Sequence, residues 1–504
     1  MTMQRLKPGI ERPLHDAAST RALETRLAAT LPTHALMQRA GQRIAQLAMA
    51  LAPHAKTVWV ACGPGNNGGD GWEAAVHLKA AGMHVVVSYA APDSVPPQDA
   101  LAAMNAAHQA GITASAPPLV LGTEDLCIDA MLGLGAQRPL MGLMADWADH
   151  MNHSPAMVLA VDMPSGLHTD SGQVLNSESA LKGIAVKADH TLMLLTAKAG
   201  AYMNQGRDLC GQLWLDDLTR SPQDLAQTNT QPSPAQLNPK PATALRLHDS
   251  HKGTFGDVAV VGGEGLSDRG MGMTGAALLA AQAALLGGAG RVMVHLLDDD
   301  LHTTALPLLQ PAWMQRSFKA LNLEQLTVVC GCGGGMAVSR VLAEVLQRSQ
   351  QLVLDADALN AVARDPVLAR LLKHRSAYRL PTVLTPHPLE AARLLGSSKE
   401  QVQAHRLESA EQLAAQWGCT VVLKGSGSVI AAPGQTSRIN PTGNGQLATA
   451  GTGDVLAGLI GTKLAQGRSA FEAACQAVYN HGEVADLWPA DQRLTAWALA
   501  SRCH

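Results

Sequence analysis

Short apolar runs alternate with helical segments along most of this chain. In the first half the runs are TVWVAC, HVVVSYA, DLCIDAM, AMVLAVDM, HTLMLL and GQLWLDD. In the second they are DVAVVGG, GRVMVHLL, LTVVCG, LVLDAD, TVLTPH and CTVVLKG. Each run has the length of a strand. The stretches between them carry helical patterning, beginning with ALMQRAGQRIAQLAMAL. This alternation predicts an α/β fold of mainly parallel sheets covered by helices. In such folds ligands bind at the carboxyl ends of the strands. The loops richest in glycine and carboxylates lie there in both halves.

Residues 219–246 break the pattern. They are rich in Pro, Gln, Thr, Ser and Asn and poor in large apolar side chains, as a linker is. Two domains are therefore expected, residues 1–218 and 247–504, since 504 residues exceed one ordinary core. A net charge of −3 argues against a nucleic-acid surface, and 3% aromatics against recognition by stacking. The most apolar stretch, MTGAALLAAQAALLGGAGRVMV, holds Gln282, Arg291 and four glycines between Gly275 and Gly290, so it reads as a buried helix and not a membrane span. The N-terminus lacks the apolar core of a signal peptide. The eight cysteines show neither a C-x-x-C pair nor zinc spacing and are expected mostly as buried free thiols. The expected setting is cytoplasmic.

The loop ACGPGNNGGDG joins an apolar run to the helix WEAAVHLKAAG. Its glycines allow a ligand close to the backbone, and the helix start offers free N–H groups to a phosphate. It is neither G-x-G-x-x-G in the standard form nor a P-loop. Two later strand ends, IDAMLGLGAQRPL and AVDMPSGLHTDSG, carry Asp129, and Asp162 with Ser165. Asn67, Asp129 and Ser165 are oxygen donors of low total charge, a set suited to a monovalent cation such as potassium and not to magnesium or calcium. Taken singly, Asp129 and Asp162 read equally well as cap or turn residues.

In order, GPGNNGGDG, DAMLGLG, VDMPSG with TDSG, and ADHTLMLLTAKAG resemble the YjeF N-terminal family, Rossmann-like three-layer domains that interconvert the C6 epimers of hydrated NADH or NADPH. The resemblance implies a hydrated-cofactor site at Asn66, Asn67, Gly68, Gly69 and Asp70, at the loop Gly133, Leu134, Gly135, Ala136, Gln137, Arg138 and Pro139, and near Asp162. It implies potassium on Asn67, Asp129 and Ser165, with Asp162 as candidate acid/base group and Lys198 as its helper. Gln38 stands where many relatives carry Glu.

The second half closes on NPTGNGQLATAGTGDVLAGLIGTKLAQG. There Gly451 and Gly453 keep a turn bare, and Asp454 opens an apolar helix. Such a helix start can hold a transferring phosphoryl group, and Asp454 can take the proton of an attacking hydroxyl. The plainer reading is that Asp454 only caps the helix. With HKGTFGDVAVVGG, CGCGGG, LDADALN, TPHPLEAARLLG and VVLKGSGSVI, the stretch resembles the ribokinase-like ADP/ATP-dependent NAD(P)H-hydrate dehydratases. That resemblance places Lys424, Gly425, Ser426, Gly427, Ser428 and Gly453 on the nucleotide, ADP or ATP with Mg2+. It places Gly275, Ala276, Gly335, His387 and Asp454 on the hydrate. Asp355 and Asp357 either assist magnesium or act as strand-end caps. Departures from the family pattern are Ser428 for Thr, Cys332 for the Pro of Gly-Pro-Gly, and Ala312 for Glu.

The two resemblances together imply repair of hydrated NAD(P)H: epimerisation, then phosphorylation of the C6 hydroxyl and elimination of phosphate. The expected partners are NADHX, NADPHX and ADP or ATP, in a homo-oligomer without membrane or nucleic acid. The alternatives are a small-alcohol or vitamin-precursor kinase fused to a non-catalytic module, and an N-terminal half that is only a binding scaffold.

Overall fold

The computed structural model describes residues 3–90, 95–176, 183–219, 224, 233–242, 246–266, 269–297 and 310–503. Most of the expected linker, residues 219–246, lies outside the described residues. The chain forms two compact units, Met1–Lys7 with Arg12–Ala235, and Pro8–Glu11 with Gln236–His504.

The first unit is built on strands β1 (Gln4–Arg5), β2 (Val58–Cys62), β3 (Val85–Tyr89), β4 (Leu126–Ala130), β5 (Met157–Val161), β6 (His190–Leu194) and β7 (Gln212–Asp216). Their order in the sheet is β1-β7-β6-β5-β4-β2-β3. Only the edge strand β1 is antiparallel to its neighbour. The helices are α1 (Ala17–Ala28), α2 (Ala35–Leu51), α3 (Asn66–Ala80), α4 (Gln98–Gln109) and α5 (Leu143–His153). Successive residues of a strand point to opposite faces. Accordingly Val58, Val60 and Cys62 pack with α2, α3 and α4, while Trp59 and Ala61 pack with α5. Both faces of β2 are covered, which is why the run VWVAC is apolar without alternation. This is the three-layer arrangement expected.

The second unit carries β8 (Asp257–Glu264), β9 (Arg291–Leu297), β10 (Trp313–Gln315), β11 (Thr327–Cys330), β12 (Gln351–Leu354), β13 (Thr382–Leu384), β14 (Thr420–Leu423), β15 (Val429–Ala431) and β16 (Ser437–Ile439). Within this unit the order is β10-β9-β8-β11-β12-β13-β14-β15-β16. The sheet is parallel through β14 and finishes in two antiparallel strands. That antiparallel end was not expected from the sequence, because three-residue strands carry too little periodicity to register. Helices α6 (Thr274–Leu286), α7 (Ala356–Arg364), α8 (Pro388–Leu395), α9 (Thr452–Ala465) and α10 (Ala470–Asp486) serve the site. The apolar α6 is buried against α9, so closely that a Cβ on Gly458 would strike the Ala280 carbonyl. Among the described residues no helix is long and apolar enough to cross a membrane. All eight cysteines are buried free thiols.

Candidate active sites

In the first unit the chain leaves β2, turns at Gly63 to Gly65 and enters α3 at Asn66 with no side-chain cap. The first-turn amides of α3 therefore have no partner within their own helix. Beside them opens a cavity of about 430 Å³ lined by Asn66, Asn67, Asp70, the loop Gly133 to Ala136, Asp162 and Lys198. Gly68 and Gly69 do not line it. A Cβ on Gly68 would run into the Gly63 carbonyl, and one on Gly69 would lie 2.7 Å from Met37 Sδ, so both glycines answer to close packing of α3. Gln137, Arg138 and Pro139 also lie outside the lining, beyond the tip of their loop. Gln38 is exposed on α2, whereas its neighbours Leu36 and Met37 face the cavity.

Asp162 follows β5 with φ of 67°, a left-handed conformation that a non-glycine residue adopts at a cost. Its carboxylate accepts the Leu194 N–H at 3.1 Å and is ion-paired to the buried Lys198 ammonium, which also donates to the Leu194 carbonyl at 2.6 Å. One strand carbonyl and one carboxylate thus share a single buried cation. Asp129, at the end of β4, is fully buried. It accepts from the Ser165 hydroxyl (2.6 Å), the Ser165 amide (2.8 Å) and the Met131 amide (3.2 Å). Burial nonetheless pushes its carboxyl up to about 6. Asn67 lies against Gly133 in the next loop, where a Cβ would come within 2.7 Å of its Oδ1. Ser165 and Asp129 are bonded to one another, and Asn67 is in the first turn of α3; the three side chains together offer oxygen atoms and a single carboxylate.

Sequence reasoning missed α1. Its start is written in the capping box of Asp16 and Ser19. It brings Arg21 and Glu24 to the same cavity, with Asp99 from α4. Burial raises Glu24, and Asp162 raises it further; burial and then Glu24 hold Asp70 well above the usual carboxylate range. The cavity therefore gathers four carboxyl side chains, Glu24, Asp70, Asp99 and Asp162, around Lys198.

In the second unit Gly451, with φ of 92°, turns the chain into α9. The amides of Gly453 and Asp454 precede the first α-helical bond of α9, from Val455 N–H to Gly451 O. The turn is steadied by buried His481 of α10, whose Nε2 lies 2.9 Å from the Thr452 carbonyl. Burial pushes this imidazole down to about 4, so it is neutral and donates from Nε2. Lys424, after β14, donates to Asp355 at 2.6 Å, and its ammonium is 3.3 Å from where a Gly453 Cβ would stand. Burial disfavours that charge, but Asp355 and Glu390 outweigh it and raise the lysine. Asp454 is pushed up to about 6, first by burial and then by the Asp355 charge.

Asp355 also accepts from Thr385 Oγ1 at 2.8 Å, and Asp357 accepts the Gly335 amide at 2.9 Å. Each carboxylate uses one oxygen in these bonds. The loop holding Gly335 is fastened by buried Glu264, which accepts from the Met336 and Ala337 amides and pairs with Arg269. Gly275 faces open space at the start of α6, and Ala276 packs on Gly333. His387 is the N-cap of α8: Nδ1 accepts from the Leu389 and Glu390 amides, and Nε2 lies 3.1 Å from Glu390. Ser428 Oγ donates to the Gly425 carbonyl at 3.2 Å. Ala312 is exposed.

A second omission of sequence reasoning is Arg406, whose buried guanidinium donates to the Leu423, Lys424 and Gly427 carbonyls and to Gln403. Burial lowers it to about 10. It holds the loop from Lys424 to Gly427 from beneath. Arg406→Met leaves these carbonyls unsatisfied. We expect a stability loss of about 3 kcal/mol in thermal unfolding. An unchanged Tm would show the loop to be held by other contacts.

Comparison with known proteins agrees over both units. A family model described as NAD(P)H-hydrate dehydratase matches residues 260–502, and one described as YjeF-related protein N-terminus matches residues 33–200. The chain is 34% identical over 469 residues to the bifunctional NAD(P)H-hydrate repair enzyme Nnr of Escherichia coli (strain K12), covering 91% of this chain and 85% of that protein. It is 42% identical over 260 residues to the ADP-dependent (S)-NAD(P)H-hydrate dehydratase of Neisseria meningitidis, covering 51% of this chain and 84% of that protein. Among solved structures, the ADP/ATP-dependent NAD(P)H-hydrate dehydratase of Bacillus subtilis, co-crystallised with ATP/Mg2+, is 29% identical with a TM-score of 0.42, covering 52% of this chain and 92% of that one.

Proposed function

The chain belongs to the family of bifunctional NAD(P)H-hydrate repair enzymes, and from that premise we propose that its two cavities act in turn on one damaged cofactor. Residues 1–218 form the epimerase and residues 247–504 the ADP-dependent dehydratase. Hydration of the nicotinamide ring leaves a C6 hydroxyl, and the cofactor can no longer deliver hydride. In the dehydratase, Asp454 takes the proton of that hydroxyl as its oxygen attacks the terminal phosphorus of ADP or ATP. The bond from that phosphorus to the leaving nucleotide breaks, and the α9 amides with Lys424 stabilise the charge that develops. The C6–O bond then breaks with loss of a C5 proton, phosphate departs, and the ring double bond returns. Magnesium held by the nucleotide phosphates would neutralise part of their charge.

In the epimerase, the Asp162–Lys198 pair passes the ammonium proton through Asp162 to the departing C6 oxygen. Asp162 then accepts a proton from water returning on the other face, while Lys198 holds its orientation. Asn67, Asp129 and Ser165 would hold potassium, which supplies fixed positive charge beside the hydrate. The thiols, all unpaired, suit the reducing cytoplasm where such cofactors act.

The observation that carries the reading is Asp454, a carboxylate raised to about 6 at an uncapped helix start beside Lys424. A base must be ionised to act, so dehydratase kcat should fall as pH drops through about 6 and level off above it. The test is ADP-dependent regeneration of NADH absorbance from the S hydrate across pH. A rate independent of pH from 5 to 8, roughly, would remove Asp454 from the base role. A stable phosphorylated product would instead mark a small-alcohol kinase.

A further inference from the structure

Cys332 takes no part in the chemistry described so far, yet it sits at the centre of it. It stands between Gly331 and Gly333, in the loop that follows β11. Cys332 is fully buried, and its Sγ, a carboxylate oxygen of Asp355 and one of Asp454 all lie within 4.8 Å of one another. Asp355 is already committed to Lys424 and Thr385. Asp454 is therefore the carboxylate left facing the Cys332 thiol.

The backbone around Cys332 is closely held. Gly331 and Gly333 flank it with φ of 114° and 57°, conformations that favour glycine. A Cβ on Gly331 would strike the Asp355 carbonyl, and one on Gly333 would lie 2.8 Å from the Ala276 Cβ. The Cys332 carbonyl accepts the Gly263 amide at 3.0 Å, and the Gly333 carbonyl accepts the Glu264 amide at 2.7 Å. Burial and the two neighbouring carboxylates hold the thiol protonated, well above its ordinary range. A protonated thiol in this position is a fixed donor and not a nucleophile. Proline at the same site would offer no side-chain donor.

We propose that Cys332 is a positioning residue of the dehydratase: its S–H binds one oxygen of Asp454 and so turns the other toward the substrate hydroxyl. The inference rests on the dehydratase reading above. The bond also stabilises the ionised carboxylate, partly opposing the effect of burial on Asp454.

Two measurements on the full chain test it. The first needs no turnover: the infrared S–H stretch of Cys332, isolated by subtracting the spectrum of Cys332→Ala. The account expects that band to shift to the frequency of an unbonded thiol in Asp454→Ala; an unmoved band overturns it, whether or not the hydrate is the substrate. The second is kinetic. Cys332→Ala should lose about tenfold in kcat with KM for hydrate and ADP nearly unchanged, and its acid limb should move to higher pH. Cys332→Ser, which keeps a donor, should recover most of the rate. Equal rates in all three proteins, or equal losses in the Ser and Ala variants with raised KM, would overturn the positioning role.

Discussion

Asp454→Asn should lower dehydratase turnover by about a thousandfold while hydrate and nucleotide still bind. The substitution is nearly isosteric and leaves the α9 start intact, but an amide cannot take the proton of the attacking hydroxyl. Stability should not fall with activity. Burial and the Asp355 charge already disfavour the ionised carboxylate, so a neutral side chain there relieves a cost. Steady-state kcat and KM, with Tm as control, separate this outcome from a folding defect. A rise in KM alone would assign Asp454 to binding.

Asp162→Asn should abolish conversion of the R epimer and leave dehydration of the S epimer at its normal rate. The loss has two sources. The acid/base group is gone, worth a hundredfold or more on the order of such groups. Lys198 also loses its carboxylate while remaining fully buried. Breaking one side of a buried ion pair costs about 3–5 kcal/mol, so the variant should also melt earlier. Lys198→Met separates the two effects, since it retains Asp162 but frees it from its partner and from the orientation that partner imposes. Chiral separation of the hydrates before and after incubation reads the epimerase directly.

The strand ends were legible in the sequence because apolar runs stop sharply there and polar or glycine-rich loops begin. Asp129 and Asp162 could be named that way, Asp454 by the bare glycine turn before an apolar helix, and Lys424 only through the family resemblance; the structure has them at the ends of β4 and β5, in the first turn of α9 and after β14. What remained hidden depends on distance across the fold. Arg406 lies 18 residues before the Lys424 carbonyl it holds, and an arginine in an amphipathic helix ordinarily signals a solvent-facing side. Glu24 and Arg21 stand in a helix whose start is marked only by Asp16 and Ser19. Gly68 and Gly69 were read as ligand contacts, but composition cannot tell a glycine that admits a ligand from one that admits a neighbouring part of the protein. Cys332 was visible as a departure, while its contact with a carboxylate 122 residues later in the chain was not.

Under the proposed function, one chain repairs both epimers through two separate carboxylates. The most direct measurement supplies a mixed-epimer NADHX preparation with ADP and magnesium, and follows the return of dihydronicotinamide absorbance with the wild type, Asp454→Asn and Asp162→Asn. Full recovery by the wild type, none by Asp454→Asn, and a stop after the S epimer is spent by Asp162→Asn is the predicted result. Full recovery by Asp162→Asn at the wild-type rate, or no recovery by the wild type with either ADP or ATP, would contradict it.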